Sequence, residues 1–116
     1  MKHRSSRQSK AKNFDKKTRE EIYNRDRGCI FCRAGRWEGG NDFEKSIHDT
    51  VHIINKSQGG LGIVTNGVEG CRYHHHLLDN GNQGLRKELL AYAKDYLREL
   101  YPGWSEEQQV YKKYDF

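Results

Sequence analysis

Residues 51–76 have the sequence VHIINKSQGGLGIVTNGVEGCRYHHH. The stretch begins with alternating apolar and polar side chains, which predict a β-strand over residues 46–54. Glycines at positions 59, 60 and 62 then predict a turn. We expect a short second strand at residues 63–64 and a helix from position 71 to about position 79. The stretch therefore predicts a hairpin followed by a helix that begins with a cluster of cysteine and histidine residues.

Four candidate metal ligands lie in two short knuckles. Cys29 and Cys32 form a CxxC knuckle, and Cys71 and His74 form a CxxH knuckle further along the chain. Thiolate and imidazole ligands in a set of four suit a tetrahedral structural zinc ion. The chain has only three cysteines, which cannot all pair in disulfides. We therefore predict a zinc site that stabilises a core built from the 34% of residues that are hydrophobic.

The run of His74, His75 and His76 predicts a second site. Successive side chains on a helix are rotated by about 100°, so the three imidazoles cannot all bind one ion. His75 lies four residues before Asp79, so these two share a different helix face and could bind a second, harder ion. A second register stays open, in which Cys71 and His75 bind zinc and His76 takes the second site.

Three segments of the chain together resemble a known motif. They are His52-Ile-Ile-Asn-Lys-Ser-Gln-Gly-Gly, Asn66-Gly-Val-Glu-Gly-Cys71 and Arg72-Tyr-His74-His75. Their composition and spacing resemble the HNH endonuclease motif, with His52, Asn66 and His75 in the three motif positions. The knuckles resemble the zinc-containing branch of this family, and the tails resemble its small phage-encoded members. The resemblance covers residues 20–82 and implies a small α+β fold, with a treble-clef-like ββα-metal core, a structural zinc and flanking helices.

The resemblance also implies an activity, which is metal-dependent hydrolysis or nicking of DNA. His52 would act as the general base that activates water, and Asn66 would hold the hairpin and orient His52. A catalytic Mg²⁺ or Mn²⁺ ion would bind at His75 and Asp79, and cleavage would leave 5′-phosphate and 3′-hydroxyl ends. The implied partners are DNA and, for a phage-encoded protein, other phage DNA-processing proteins in the host cytoplasm.

One position departs from the family pattern. Many members carry His or Asp immediately before the first motif histidine, as a ligand of the catalytic ion, whereas this chain has Val51 there. Asp49 is expected on the strand face opposite to His52 unless a bulge intervenes. The expected shell is therefore His75 and Asp79, with Asn66, water and substrate phosphate as candidates for the remaining positions.

Positive charge is concentrated near the start of the chain. Residues 1–20 contain eight Lys and Arg against two acidic side chains, while the whole chain has a net charge of +5. We predict that residues 1–13 form a basic flexible arm that contacts phosphate without reading sequence, with a solubilising tail as the alternative. The candidate nucleic-acid contacts are Lys10, Lys12, Lys16, Lys17, Lys56 and Arg72.

The rest of the chain is expected to complete one domain over residues 14–101. A helix is predicted from Phe14 to Gly28, a loop over residues 33–45, and an amphipathic helix from Leu85 to Leu100. Residues 102–116 are expected to form a C-terminal tail. The chain has no apolar run of the length of a signal or membrane-spanning segment, so we expect a cytoplasmic protein without a membrane partner.

Two other functions fit parts of the pattern. A non-catalytic zinc-stabilised module that binds nucleic acid explains the knuckles and the arm equally well, and Val51 favours it. A zinc-water hydrolase acting on a small molecule is a weaker alternative, because the chain has no HExxH motif.

Overall fold

The computed structural model describes residues 7–80 and 84–112, which form a small α+β fold. These residues contain six α-helices and one two-stranded sheet. In chain order the elements are α1 (Arg7–Lys12), α2 (Lys16–Asp26), α3 (Ile30–Ala34), α4 (Asp42–Ser46), β1 (His48–His52), β2 (Gly67–Cys71), α5 (Arg72–Asn80) and α6 (Arg86–Leu100). No helix in the described ranges has the length and apolar character needed to cross a membrane.

The two strands form an antiparallel hairpin on which the helices pack. Thr50 lies opposite Glu69, Val51 opposite Val68, and His52 opposite Gly67. Val51 and Val68 are buried in the core, where α2 and α3 pack against β2. The predicted first strand is confirmed in its central residues.

The prediction of a second strand at residues 63–64 is wrong. Residues Val64–Asn66 form a single 3-10 turn, and β2 begins only at Gly67. Two glycines lowered the strand propensity of this segment. Both glycines lie in close packing: a Cβ on Gly67 would lie 2.6 Å from Ile22 Cδ1, and one on Gly70 would lie 3.1 Å from Val51 Cγ2, so these side chains would have to shift.

The helices predicted on either side of the hairpin are confirmed. In α2, Asp15 caps the first turn by accepting a hydrogen bond of 2.7 Å from the Thr18 N–H. Helix α5 follows β2 without an intervening residue, and α6 buries Leu89, Ala93 and Leu97 along one stripe. The segment predicted as a loop, residues 33–45, instead includes the end of α3 and most of α4, whose first turn is capped by Asn41.

Both chain ends pack more closely than expected where they are described. Residues 1–13 were expected to be a flexible arm, but Arg7–Lys12 form α1, and residues 1–6 lie outside the described residues. In the expected tail, Trp104 and Gln109 are buried and Val110 forms an antiparallel bridge with Gly60, while residues 113–116 lie outside the described part. The two ends therefore contact the domain instead of extending from it.

A buried charge pair joins three elements. The Asp26 carboxylate is 1% exposed and accepts hydrogen bonds from the Arg25 guanidinium at 2.6 and 3.0 Å. It also accepts from the Glu69 backbone N–H at 2.8 Å and from the Tyr96 hydroxyl at 2.5 Å. Burial, together with the hydrogen bond to Asp26, raises the pKa of Tyr96 to about 12. The pair therefore connects α2, β2 and α6.

Candidate metal centre and candidate active site

The two predicted knuckles come together in one cluster. The ligand atoms of Cys29, Cys32, Cys71 and His74 all lie within 4.8 Å of one another, and Cys29, Cys71 and His74 are buried. Cys29 and Cys32 flank the start of α3, while Cys71 ends β2 and His74 lies in the first turn of α5. This cluster could hold a metal ion such as zinc. The structure therefore brings together the four ligands predicted from the sequence.

The distances between these ligand atoms suit a tetrahedral ion. Zinc–sulfur bonds of about 2.3 Å place two sulfur ligands about 3.8 Å apart in a tetrahedron. The Cys32 and Cys71 Sγ atoms are 3.6 Å apart, and His74 Nδ1 lies 3.2–3.7 Å from the three sulfurs. Burial and the neighbouring Cys29 and Cys71 raise the pKa of the Cys32 thiol to about 12. A cation at the centre would offset this mutual repulsion of thiolates.

The orientation of His74 fits a metal ligand. Its Nε2–H donates a hydrogen bond of 2.6 Å to the Trp37 carbonyl oxygen. In a neutral imidazole this leaves the lone pair on Nδ1, the atom that faces the sulfurs. Such a second hydrogen bond commonly fixes the tautomer of a histidine ligand. His74 lies in the cluster and His76 is exposed. The geometry therefore favours the assignment in which His74, and not His75, joins Cys71 in the cluster.

A groove beside the cluster contains the other predicted residues. It has a volume of about 410 Å³ and is lined by His52 from the end of β1, by His75 and Asp79 from α5, and by Lys56 from the loop between the strands. His74 and His75 are adjacent in the chain but face different sites. Helix α5 thus separates a buried thiol-rich cluster from an open groove that carries imidazole, carboxylate and ammonium groups.

His52 is held by the segment that precedes α2. Its Nε2–H donates a hydrogen bond of 2.7 Å to the Lys12 carbonyl oxygen, and the Phe14 ring lies 4.1 Å from its ring, centroid to centroid. Burial lowers the pKa of His52 below its usual value, and the charges of Lys56 and His75 add to this, against the opposing effect of the Lys12 carbonyl. His52 is therefore biased toward the neutral imidazole, with its lone pair on Nδ1.

His75 lies between two carboxylates. Its Nδ1 is 3.0 Å from Asp49 Oδ2, in a hydrogen bond, and its Nε2 is 3.3 Å from Asp79 Oδ2. Burial acts to raise the pKa of Asp49, but hydrogen bonds from Arg72 and His75 outweigh it and lower that pKa. In a neutral His75, an ionised Asp49 would hold the proton on Nδ1, and the Nε2 lone pair would then lie beside Asp79.

Asp49 is the site residue that the sequence prediction missed. It was expected to lie away from His52, and the regular strand pairing does leave these two on opposite faces. Because Asp49 shares its face with Val51, which points into the core toward the helices, it reaches His75 of α5. Side chains alternate between the two faces of a strand, so Asp49 shares the face of Val51. Together with a helix packed on that face, this alternation could have identified Asp49.

Asn66 is a buried residue that organises the loop between the strands. It is 0% exposed; its Oδ1 accepts from the Ile54 N–H at 2.8 Å, and its Nδ2 donates to the Ile54 and Leu61 carbonyls at 3.1 and 2.8 Å. These bonds close the loop that follows His52. Asn66 therefore holds the loop of the hairpin in place, while its predicted effect on the orientation of His52 stays a prediction.

The predicted nucleic-acid contacts occupy different environments. Lys56 lines the groove, whereas the Arg72 guanidinium makes two hydrogen bonds to Asp49, at 3.0 and 3.1 Å. Lys10, Lys16 and Lys17 are exposed, and Lys12 is half-buried. The charge of Arg72 is thus already paired, while the lysines remain accessible.

A second groove, of about 440 Å³, lies between α2 and the other face of the hairpin. Lys16 and Tyr23 line it from α2, and His48 and Glu69 line it from the strands. Burial, with the nearby charges of Asp26 and Asp49, raises the pKa of Glu69 to about 7. Glu69 was not predicted as a site residue, because nothing in the local sequence pattern indicates that it is buried.

Comparisons of this chain with protein-family models, with curated proteins and with solved structures found no match.

Proposed function

We propose that this protein is a metal-dependent DNA endonuclease of the HNH type, with a ββα-metal core held by a structural zinc. The observation that carries the proposal is the groove in which the His52 imidazole meets the His75 and Asp79 pair beside the Cys3His cluster. A potential base and a potential cation site thus open onto the same groove. This combination is what metal-assisted hydrolysis of a phosphodiester requires.

His52 is suited to take a proton from water. Its Nε2–H is committed to the Lys12 carbonyl, so the lone pair on Nδ1 is the one that can accept a proton. Its lowered pKa favours the unprotonated base near neutral pH. A neutral imidazole held in one orientation has the protonation state that a general base requires.

His75 and Asp79 form the proposed cation site. Octahedral bonds of about 2.1 Å place neighbouring ligands about 3.0 Å apart, close to the 3.3 Å between His75 Nε2 and Asp79 Oδ2. Asp49 would orient His75 through Nδ1, as carboxylates do for histidine ligands elsewhere. A Mg²⁺ or Mn²⁺ ion there would neutralise charge on the phosphate oxygens as it develops.

The proposed substrate is DNA because of a lysine in the groove and the positive charge near the start of the chain. Lys56 lines it, and the exposed Lys10, Lys16 and Lys17 belong to the part of the chain where positive charge is concentrated. These ammonium groups can position phosphates without reading base sequence.

Conversion of supercoiled plasmid tests the proposal. Wild-type protein should nick or linearise plasmid with Mg²⁺ or Mn²⁺ and be inactive in excess EDTA. His52→Ala should lower the rate by roughly 10²–10⁴-fold, the usual contribution of a general base, while zinc content and DNA binding persist. His75→Ala should also be slow, but raised Mn²⁺ should partly restore it, since that change weakens cation binding.

His48→Ala is the matched control, because His48 is an exposed histidine on the same strand and outside this groove. It should cut at the wild-type rate. If His52→Ala cleaves as fast as His48→Ala, the role of His52 is wrong.

One observation favours a second function, a non-catalytic zinc-stabilised module that binds nucleic acid. Val51 is 2% exposed and apolar, so the position where many HNH members carry a cation ligand offers none. Wild-type protein that binds DNA but leaves plasmid intact with every divalent ion would support this module and contradict the nuclease.

A further inference from the structure

The segment formed by residues 11–14, which we call the N-terminal segment, contacts both His52 and the loop between the strands. The Ala11 carbonyl accepts a hydrogen bond of 2.8 Å from the Gly62 N–H, and the Lys12 carbonyl accepts one of 2.7 Å from His52 Nε2. The Phe14 ring lies 4.1 Å from the His52 ring, centroid to centroid. Two consecutive carbonyls and one aromatic ring thus connect this segment with the hairpin.

Glycines make this close approach possible. A Cβ on Gly62 would overlap the Asn13 carbonyl group and lie 2.6 Å from the Phe14 nitrogen. A Cβ on Gly67 would lie 2.8 Å from Phe14 Cζ. At Gly62 a side chain is excluded unless the backbone of Asn13 moves, whereas at Gly67 the Phe14 ring would have to shift. Gly62 therefore allows the N-terminal segment to lie against bare backbone.

These contacts determine what His52 can do. The Lys12 carbonyl can only accept, so the proton must sit on Nε2 and the lone pair on Nδ1. The bond to Lys12 and the contact with Phe14 together restrict rotation of the ring. A base whose ring turns freely would hold Nδ1 in one productive orientation only part of the time, and misplacement by about 1 Å can cost about 10²-fold in rate.

We infer that the N-terminal segment is a positioning element for His52, which fixes the tautomer and orientation of the proposed base through the Lys12 carbonyl. The inference rests on the proposed function for its catalytic consequence, but its structural content does not depend on activity. It also gives the basic start of the chain a second role. The backbone carbonyl of Lys12 holds the histidine, while the side chains of Lys10 and Lys12 supply charge for phosphate.

Gly62→Ala in the full-length protein tests the inference, because the added methyl group must displace Asn13 and with it the Lys12 carbonyl. The direct measurement is long-range ¹H–¹⁵N NMR of the histidine rings, with the His52 signals assigned by comparison with His52→Ala. Wild-type protein should show a protected Nε2–H and an unprotonated Nδ1. Gly62→Ala should lose the protected Nε2–H, and its kcat for plasmid cleavage should fall by about 10²-fold.

The matched control is the double variant Lys10→Gln/Lys12→Gln, which removes charge and keeps the backbone carbonyl. It should retain the His52 ring signals and raise KM for DNA, so the kcat effect and the KM effect separate. Phe14→Ala gives a second route if Gly62→Ala fails to fold, as judged by zinc content and circular dichroism. It should weaken protection of the Nε2–H.

The outcomes are separable. Unchanged His52 ring signals in both Gly62→Ala and Phe14→Ala would overturn the inference, whether or not the protein cuts DNA. A wild-type protein with the protected Nε2–H but without cleavage would contradict the proposed nuclease and leave the positioning contact supported. Equal kcat in wild type and Gly62→Ala, with altered ring signals, would show that the contact does not affect catalysis. That result would overturn the catalytic part of the inference.

Discussion

Asp49 determines which nitrogen of His75 is available to a cation. The carboxylate accepts from Nδ1 and is itself held by two hydrogen bonds from Arg72. Without the Asp49 carboxylate, the partly exposed His75 ring could carry its proton on either nitrogen and could rotate. A residue that binds no cation directly would therefore control the affinity of the cation site.

This arrangement predicts graded effects of two substitutions on Mn²⁺ affinity, measured by titration calorimetry on the zinc-loaded protein. Asp49→Ala should weaken binding by up to about 100-fold, and Asp49→Asn by nearer 10-fold, since the amide oxygen can still accept from Nδ1. Asp42→Asn, at an exposed aspartate of α4, is the control and should bind Mn²⁺ normally. Unchanged affinity in Asp49→Ala would contradict the orienting role.

Among the secondary structure elements, the contact between α2, β2 and α6 depends on one carboxylate. Asp26 accepts hydrogen bonds from donors on all three elements, including the Arg25 guanidinium, whose side chain is only 14% exposed. Burial alone would lower the pKa of Arg25, but the hydrogen bond to Asp26 reverses that effect and the pKa is raised.

Asp26→Asn should therefore lower the free energy of unfolding by about 3–5 kcal/mol. The amide NH₂ would face groups that donate hydrogen bonds, and the buried Arg25 guanidinium would lose its carboxylate partner. Urea denaturation of the zinc-loaded variant measures it. Asp95→Asn removes a carboxylate that is 77% exposed and paired with Arg98, and should change stability by less than about 1 kcal/mol. A similar decrease in the free energy of unfolding in both variants would show that the buried Asp26 pair stabilises the fold no more than an exposed pair does.

The elements divide into those that local pattern predicts and those that it does not. Helices α2, α5 and α6 were predicted close to their observed bounds, whereas the capping of α2 by Asp15 was not anticipated. Strand β2 was misplaced because its glycines are explained only by residues far along the chain, such as Ile22 against Gly67. Helix α1 was missed because its polar composition gives no apolar stripe, and its packing depends on backbone bonds to the loop.

For the molecule as a whole, stability should depend on the cluster of three cysteines and His74. A chain of 116 residues with 34% hydrophobic content has a small core. Structural zinc in comparable small domains contributes on the order of 10 kcal/mol of binding free energy to folding. The two knuckles join α3 to the junction between β2 and α5, so the ion would hold together the elements that surround the core.

Removal of one ligand should then unfold the domain. His74→Ala should lose zinc and its folded circular dichroism spectrum, whereas His76→Ala, at an exposed histidine two positions away, should keep both. Cys32→Ser should behave like His74→Ala. Zinc content by mass spectrometry and thermal unfolding are the measurements, and a folded, zinc-free His74→Ala would rule out the zinc as the structural centre.

The sequence predicted the Cys3His cluster more completely than the proposed cation site at His75 and Asp79. Cysteine and histidine spacing was enough to identify the four ligands of the cluster, since few other roles require those residue types together. The second position could not be completed from the sequence, because Asp49 and His75 meet only when α5 packs on the face of β1 that also carries Val51. The spacing of residues within one strand or helix does not predict a contact between two different elements.

The loop between the strands is held from both sides by the two ends of the described chain. Ala11 bonds to Gly62, and Val110 bridges Gly60, so positions about one hundred residues apart in sequence are attached to neighbouring loop residues. A donor fluorophore near one end and an acceptor near the other would therefore report opening of this loop as a change in energy transfer.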